Sequence, residues 1–119
     1  MPCYCTINGE PVHGSKKLLT GLLRDEMGFD GVVLSDYCGI SNIYDVQHAA
    51  ESRVQAGAKA LEAGVDIEAH VANCYNRELA DYTQDGGMDE SLLDRAVLRV
   101  LTAKFRMGLF EHPFALTVD

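Results

Sequence analysis

A chain of 119 residues with 47% hydrophobic content carries enough apolar side chain for one modest core. Ten basic residues stand against eighteen acidic ones, a net charge of -8, which disfavours nucleic acid and acidic membrane surfaces as partners. No apolar run approaches the roughly 18–20 residues of a membrane span. The start, Met1-Pro2-Cys3-Tyr4-Cys5, lacks the basic and apolar regions of a signal peptide, so the expected location is the cytoplasm.

In chain order, residues 2–7 alternate loosely and predict a strand. Asn8-Gly9-Glu10-Pro11 has turn chemistry. Ser15 is placed to cap a helix in which Leu18, Leu19, Leu22, Leu23 and Met27 recur at helical spacing, and Gly28 is placed to end it in a left-handed conformation. A strand at about 32–36 follows, then a loop over 37–44. An alanine-rich helix is predicted over about 49–63, closed by Gly64, with a short strand at 65–68. Gly28 and Gly64 thus punctuate two similar helix–glycine–strand units, a pattern that predicts crossovers and a parallel sheet. After a loop at 69–74 come a helix over 76–84, a Gly86-Gly87 break, and a last helix capped by Asp89. Its stripe of Leu92, Leu93, Ala96, Val97, Val100, Leu101 and Phe105 is expected to be core. Gly108 ends that helix, Pro113 prevents its resumption, and the tail at 114–119 reads as the start of a linker.

The segment Gly28-Phe29-Asp30-Gly31-Val32-Val33-Leu34-Ser35-Asp36-Tyr37 is the richest in chemical content. A short β-branched run ends in a carboxylate, so Asp36 sits at the C-terminal tip of a buried strand. In barrels of alternating strands and helices, catalytic side chains occupy that position. The alternative for Asp36 is a strand-end aspartate capping the next turn. Cys3, Cys5, Cys38 and Cys74 lack zinc-type spacing and read as reduced, structural thiols. His13, His48, His70 and His112 are scattered, with no metal-binding pair, and no P-loop or dinucleotide fingerprint is present. Neither a metal nor a cofactor is expected.

Four blocks together resemble glycoside hydrolase family 3: residues 8–15 (Asn8-Gly9-Glu10-Pro11-Val12-His13-Gly14-Ser15), residues 28–37, residues 63–68 (Ala63-Gly64-Val65-Asp66-Ile67-Glu68) and residues 104–111 (Lys104-Phe105-Arg106-Met107-Gly108-Leu109-Phe110-Glu111). The match runs in order through nearly the whole chain. The resemblance implies an α/β fold, a partial (β/α) TIM-type barrel of about three βα units plus a terminal helix, with residues 1–119 forming the C-terminal part of a catalytic barrel domain. Residues 1–6, 32–36 and 65–68 would then be strands six, seven and eight. It also implies a retaining hydrolase of β-linked glycosides, of β-glucosidase or β-xylosidase type, with Asp36 as the nucleophile and Tyr4 close beside it. Cys5 departs from the family's usual asparagine and Cys38 from its usual glycine.

A full barrel takes about 250 residues. The resemblance therefore implies a fragment, without the upstream sugar-binding residues or the general acid/base, and inefficient alone. Tyr37 is a candidate sugar-stacking surface, as is Tyr44, or both pack over the barrel mouth. Glu68, at the tip of the next strand, lines the sugar pocket, is solvated, or pairs with a basic side chain. Asp66 and Asp30 read as structural and turn residues. The competing reading is a non-catalytic truncated barrel that oligomerises through exposed sheet edges.

Overall fold

The computed structural model describes residues 1–114. The chain begins with a small antiparallel hairpin, β1 (Thr6–Ile7) paired to β2 (Glu10–Pro11). Its two-residue loop is Asn8-Gly9, with φ of +53° and +82°. Both residues lie in the left-handed region that a tight hairpin turn of this hand demands, which is why Asn-Gly stands there. The strand expected over residues 2–7 is therefore shortened, and its partner is the segment just after it.

A 3-10 turn, Val12–Gly14, leads into a helix over Lys17–Glu26. Ser15 works as the helix-start signal predicts: its Oγ accepts from the Leu18 amide at 3.4 Å and donates to Glu10 at 2.7 Å. The helix is wound in the wide π form, and its last turn shows the spacing in Met27 N–H donating to Leu22 C=O. Gly28, at φ +72°, ends it as expected.

The two expected parallel strands are present in their shortest form. Leu34 and Ile67 make one parallel bridge. Around it, the Asp66 and Ile67 amides donate to the Val33 carbonyl, and the Ser35 amide donates to the Ile67 carbonyl. The three βα units expected from the sequence are corrected to two, because residues 2–7 join the hairpin. An extended barrel wall is not formed among the described residues, which are rich in helix.

The described residues also hold four α-helices: α1 (Asn42–Asp45), α2 (Arg53–Ala63), α3 (Arg77–Gln84) and α4 (Glu90–Arg106). The turn α1 overlaps the end of the stretch expected to be loop. Helix α2 starts later than expected, because Ser52 takes an extended conformation and caps the Gln55 amide, while Gln55 reaches back to the Glu51 amide. Its alanines are explained by packing: Ala56, Ala60 and Ala63 face Leu19, Val33, Ile40, Ile43 and Val65 in the main core. At Gly57 an added Cβ would lie 3.1 Å from the Cys74 carbonyl, so a side chain there would fit only if the 69–74 loop gave way slightly. Gly64 closes α2 at φ +108°. Asn76 and Asp89 cap α3 and α4 as the sequence predicts.

The apolar stripe on α4 departs from expectation. Ala96 is buried against Leu61 and Leu79, with Leu92 and Leu93 beside it. Further along, Val97, Leu101 and Phe105 are exposed, Phe105 by 67%. The stripe is core only where α2 and α3 cover it. The expected linker lies, apart from Phe114, outside the described residues.

Candidate active site

Asp36 follows directly on the bridged strand. Ser35 is fully buried and ties that strand end twice, its amide to Ile67 and its Oγ to the Ala69 amide at 2.9 Å. The chain then turns sharply, with the Gly39 amide donating to the Asp36 carbonyl at 2.9 Å. Cys38 sits in this turn at φ +57°. Glycine adopts that conformation without strain, which gives a backbone reason for the glycine that the family resemblance expects there.

The Asp36 carboxylate is half-buried. Its Oδ1 accepts from the Tyr37 amide at 2.8 Å, and the Tyr4 hydroxyl lies within hydrogen-bonding reach of the carboxylate. On the main-chain side, the Asp36 amide donates to Nε2 of His13 at 3.2 Å. His13 is buried to 2% exposure in the 3-10 turn after the hairpin. Burial pulls its pKa below the ordinary histidine value, while the Asp36 charge opposes that shift.

Tyr4 and Tyr37 are both brought to Asp36. The Tyr4 hydroxyl donates to the Tyr37 carbonyl at 2.5 Å. Loss of solvation, then the adjacent Asp36 carboxylate, push the Tyr4 hydroxyl above its ordinary pKa. The Tyr4 carbonyl in turn accepts from Gln47 at 3.0 Å, fastening the N-terminal segment to the residues after α1. Tyr37 is 62% exposed, and its ring lies 4.3 Å from that of His70. An exposed aromatic face beside a carboxylate is suited to a ring-shaped ligand with apolar C–H faces and hydroxyl edges.

Glu68 is engaged by its own loop and makes no ion pair with a basic side chain among the described residues. Its carboxylate accepts from the Cys74 amide at 2.9 Å and the Tyr75 amide at 2.7 Å, closing the 69–74 loop from within. Asp66 is structural, as expected, and more extensively bound than its sequence position suggested. Oδ2 accepts from Arg24 at 2.7 Å and from the Val33 amide at 2.9 Å, and Oδ1 accepts from Arg99 at 3.0 Å. Asp30 makes an exposed ion pair with Arg106 at 2.8 Å.

The four cysteines are free thiols. Cys74 is buried, and burial beside Glu68 pushes its pKa up to about 12. Among the described residues, no group of three or more His, Cys, Asp or Glu side chains is placed to hold a metal. No described helix is long and apolar enough to cross a membrane.

Sequence reasoning missed His13, which read as one of four scattered histidines. The residue that leaves room for its ring is distant in sequence: Gly39 lies against it in space, where an added Cβ would meet Nε2 at 2.3 Å.

Residues 1–103 match the Glycosyl hydrolase family 3 N terminal domain. A putative beta-xylosidase of Formosa agariphila is 40% identical over 114 residues, covering 96% of this chain and 15% of the relative. A lysosomal beta glucosidase of Dictyostelium discoideum is 37% identical over 109 residues, covering 91% and 13%. Among solved structures, a beta-glucosidase from Listeria innocua superposes with a TM-score of 0.88 at 38% identity, covering 94% of this chain and 15% of that one. The chain therefore spans about a seventh of the length of these relatives.

Proposed function

The chain belongs to glycosyl hydrolase family 3, and from that premise we propose that it supplies the nucleophile of a retaining hydrolase of β-linked glycosides, with Asp36 as that nucleophile. The observation that carries this reading is the state of the Asp36 carboxylate. One oxygen is oriented by the Tyr37 amide, the Tyr4 hydroxyl lies beside the group, and the residue is only half-buried, so a ligand can reach it. It stands at the end of a bridged strand, beside an exposed aromatic ring.

In this reaction an Asp36 oxygen attacks the anomeric carbon as the bond to the leaving oxygen breaks. The leaving oxygen takes a proton from a general acid, and water later displaces the sugar from Asp36 with overall retention. Glu68 is not offered as that acid, since two backbone amides occupy its carboxylate. Tyr37 offers a stacking face for the sugar, and Tyr4 offers a hydroxyl at the edge of the site. The substrate class follows the relatives, named as beta-xylosidases and beta-glucosidases. The Listeria innocua enzyme has been seen with glucose, and a mutant of it with laminaribiose.

The test is intact mass after incubation with dinitrophenyl 2-deoxy-2-fluoro-β-glucoside or the matching xyloside, whose leaving group needs little help from an acid. The expected outcome is a gain of one fluorosugar on Asp36, with none on Asp36→Asn. A folded chain that gains nothing from either reagent overturns the nucleophile reading for this chain. That result favours a second reading, an oligomerising scaffold that buries exposed apolar residues such as Leu34, Leu101 and Phe105 between copies.

A further inference from the structure

We infer that His13 is a positioning residue for Asp36: its ring, held neutral with the proton on Nδ1, accepts the Asp36 amide hydrogen at Nε2 and fixes the backbone from which the carboxylate projects. The inference rests on the nucleophile reading for its purpose, and on separate geometry for its existence. A buried histidine must have its polar atoms satisfied. Here the acceptor bond runs to the main chain of the proposed nucleophile, 23 residues away in sequence.

The chemistry of the ring decides the rest. An imidazole nitrogen that accepts an N–H cannot carry a proton itself, so in the neutral ring the proton is on Nδ1. A protonated ring has two donors and no acceptor. It would turn a donor toward the Asp36 amide and leave that part-buried amide without its partner. Burial and the bond to Asp36 therefore demand the same neutral form.

The surroundings keep the ring in place. The Gly39 backbone lies close against it, with no room for a Cβ. The Tyr4 ring is 6.2 Å away, centroid to centroid. The Lys59 stem, from α2, packs over the adjacent Gly14. The charged and titratable groups facing His13 are Asp36, which favours the imidazolium, the chain's amino terminus, which opposes it, and Tyr4 and Lys59 at the margins. Burial outweighs Asp36, and the folded pKa lies below the ordinary value of about 6.5. With a depressed folded value, the unfolded chain binds the extra proton first. Stability from this group is full above about 6.5 and falls as pH drops through that value toward the folded one.

The inference is tested on the 119-residue chain by NMR. In wild type at neutral pH, the His13 Nε2 nitrogen is expected to show a pyridine-type shift and Nδ1 a pyrrole-type shift. The Asp36 amide resonance is expected to move with the titration of His13 on acidification. Exchange of the Asp36 amide is expected to rise about tenfold in His13→Leu, the equivalent of one hydrogen bond. His13→Gln, whose side-chain oxygen reaches the position of Nε2, is expected to restore most of that protection. A pyrrole-type Nε2, or an Asp36 amide indifferent to His13 titration, overturns the inference without recourse to any variant. Fluorosugar labelling of the same samples separates the two readings. A labelled chain whose Asp36 amide ignores His13 removes only the positioning role. An unlabelled chain whose amide follows His13 removes the nucleophile reading, and with it the catalytic purpose of the bond.

Discussion

Asp36 and Asp66 lie at opposite ends of one pair of bridged strands, and their surroundings differ in almost every respect. Asp66 stands where its strand begins, with its side chain 1% exposed. Both its oxygens are engaged, by two arginines from different helices and by the Val33 amide. Asp36 stands where the other strand ends, half-buried, with one oxygen bound to the Tyr37 amide next along the chain. One aspartate joins the π-helix, α4 and the strand pair into a unit. The other is held mainly through backbone amides, with the Tyr4 hydroxyl beside it, and stays half-exposed. A buried carboxylate with both oxygens bound by arginines makes structure, and a half-exposed one held by main-chain amides is available for chemistry.

The largest expected effect comes from removing the charge at Asp66. Asp66→Asn leaves Arg24 and Arg99 close together with no counter-charge, and Arg24 is already pulled below its ordinary pKa by burial. Breaking a buried pair by removing one partner typically costs about 3–5 kcal/mol. That is a large share of the roughly 5–15 kcal/mol stability of a small domain. Urea denaturation of wild type and Asp66→Asn measures it directly. A loss below about 1 kcal/mol would show that solvent reaches the arginines and that the contrast between the two aspartates is overstated.

A smaller effect is expected at the other end from Gly39→Ala. The new Cβ would meet the His13 ring at 2.3 Å, and that ring is buried with little room to move. Overpacking of this kind costs about 1–3 kcal/mol. The same denaturation experiment reads the cost, and amide spectra should show the shifts concentrated at His13 and Asp36. Unchanged stability with an undisturbed His13 would mean that the ring is not confined by Gly39.

What was legible in the sequence follows the same division. Local chemistry was readable. Gly28 and Gly64 were recognisable as helix ends, Asn76 and Asp89 as caps, and Asp36 as a strand-end carboxylate, because each signal is complete within a few residues. The longer-range arrangements were not. The 2–7 segment pairs with its own continuation because Asn8-Gly9 makes a two-residue turn, and periodicity alone does not say which strand is the partner. Glu68 looked available because nothing near it in sequence shows that the Cys74 and Tyr75 amides fold back onto it. His13 was overlooked because its significance lies in a residue 23 positions away. The α4 stripe carried a helical period along its full length, but the period reports an apolar face and not what covers it.

The smallest expected effect sharpens the contrast most. Asp36→Asn keeps an oxygen to accept from the Tyr37 amide and leaves the bond from its own amide to His13 intact. The lost charge sits at a half-exposed position, where substitutions usually change stability by within about 0.5 kcal/mol. Asp36→Asn should therefore unfold in urea close to wild type while losing all capacity to take up a fluorosugar. A loss of more than about 2 kcal/mol would place Asp36 beside Asp66 as a structural carboxylate. Near-neutral stability with labelling abolished would leave only chemistry to account for an aspartate at the end of that strand.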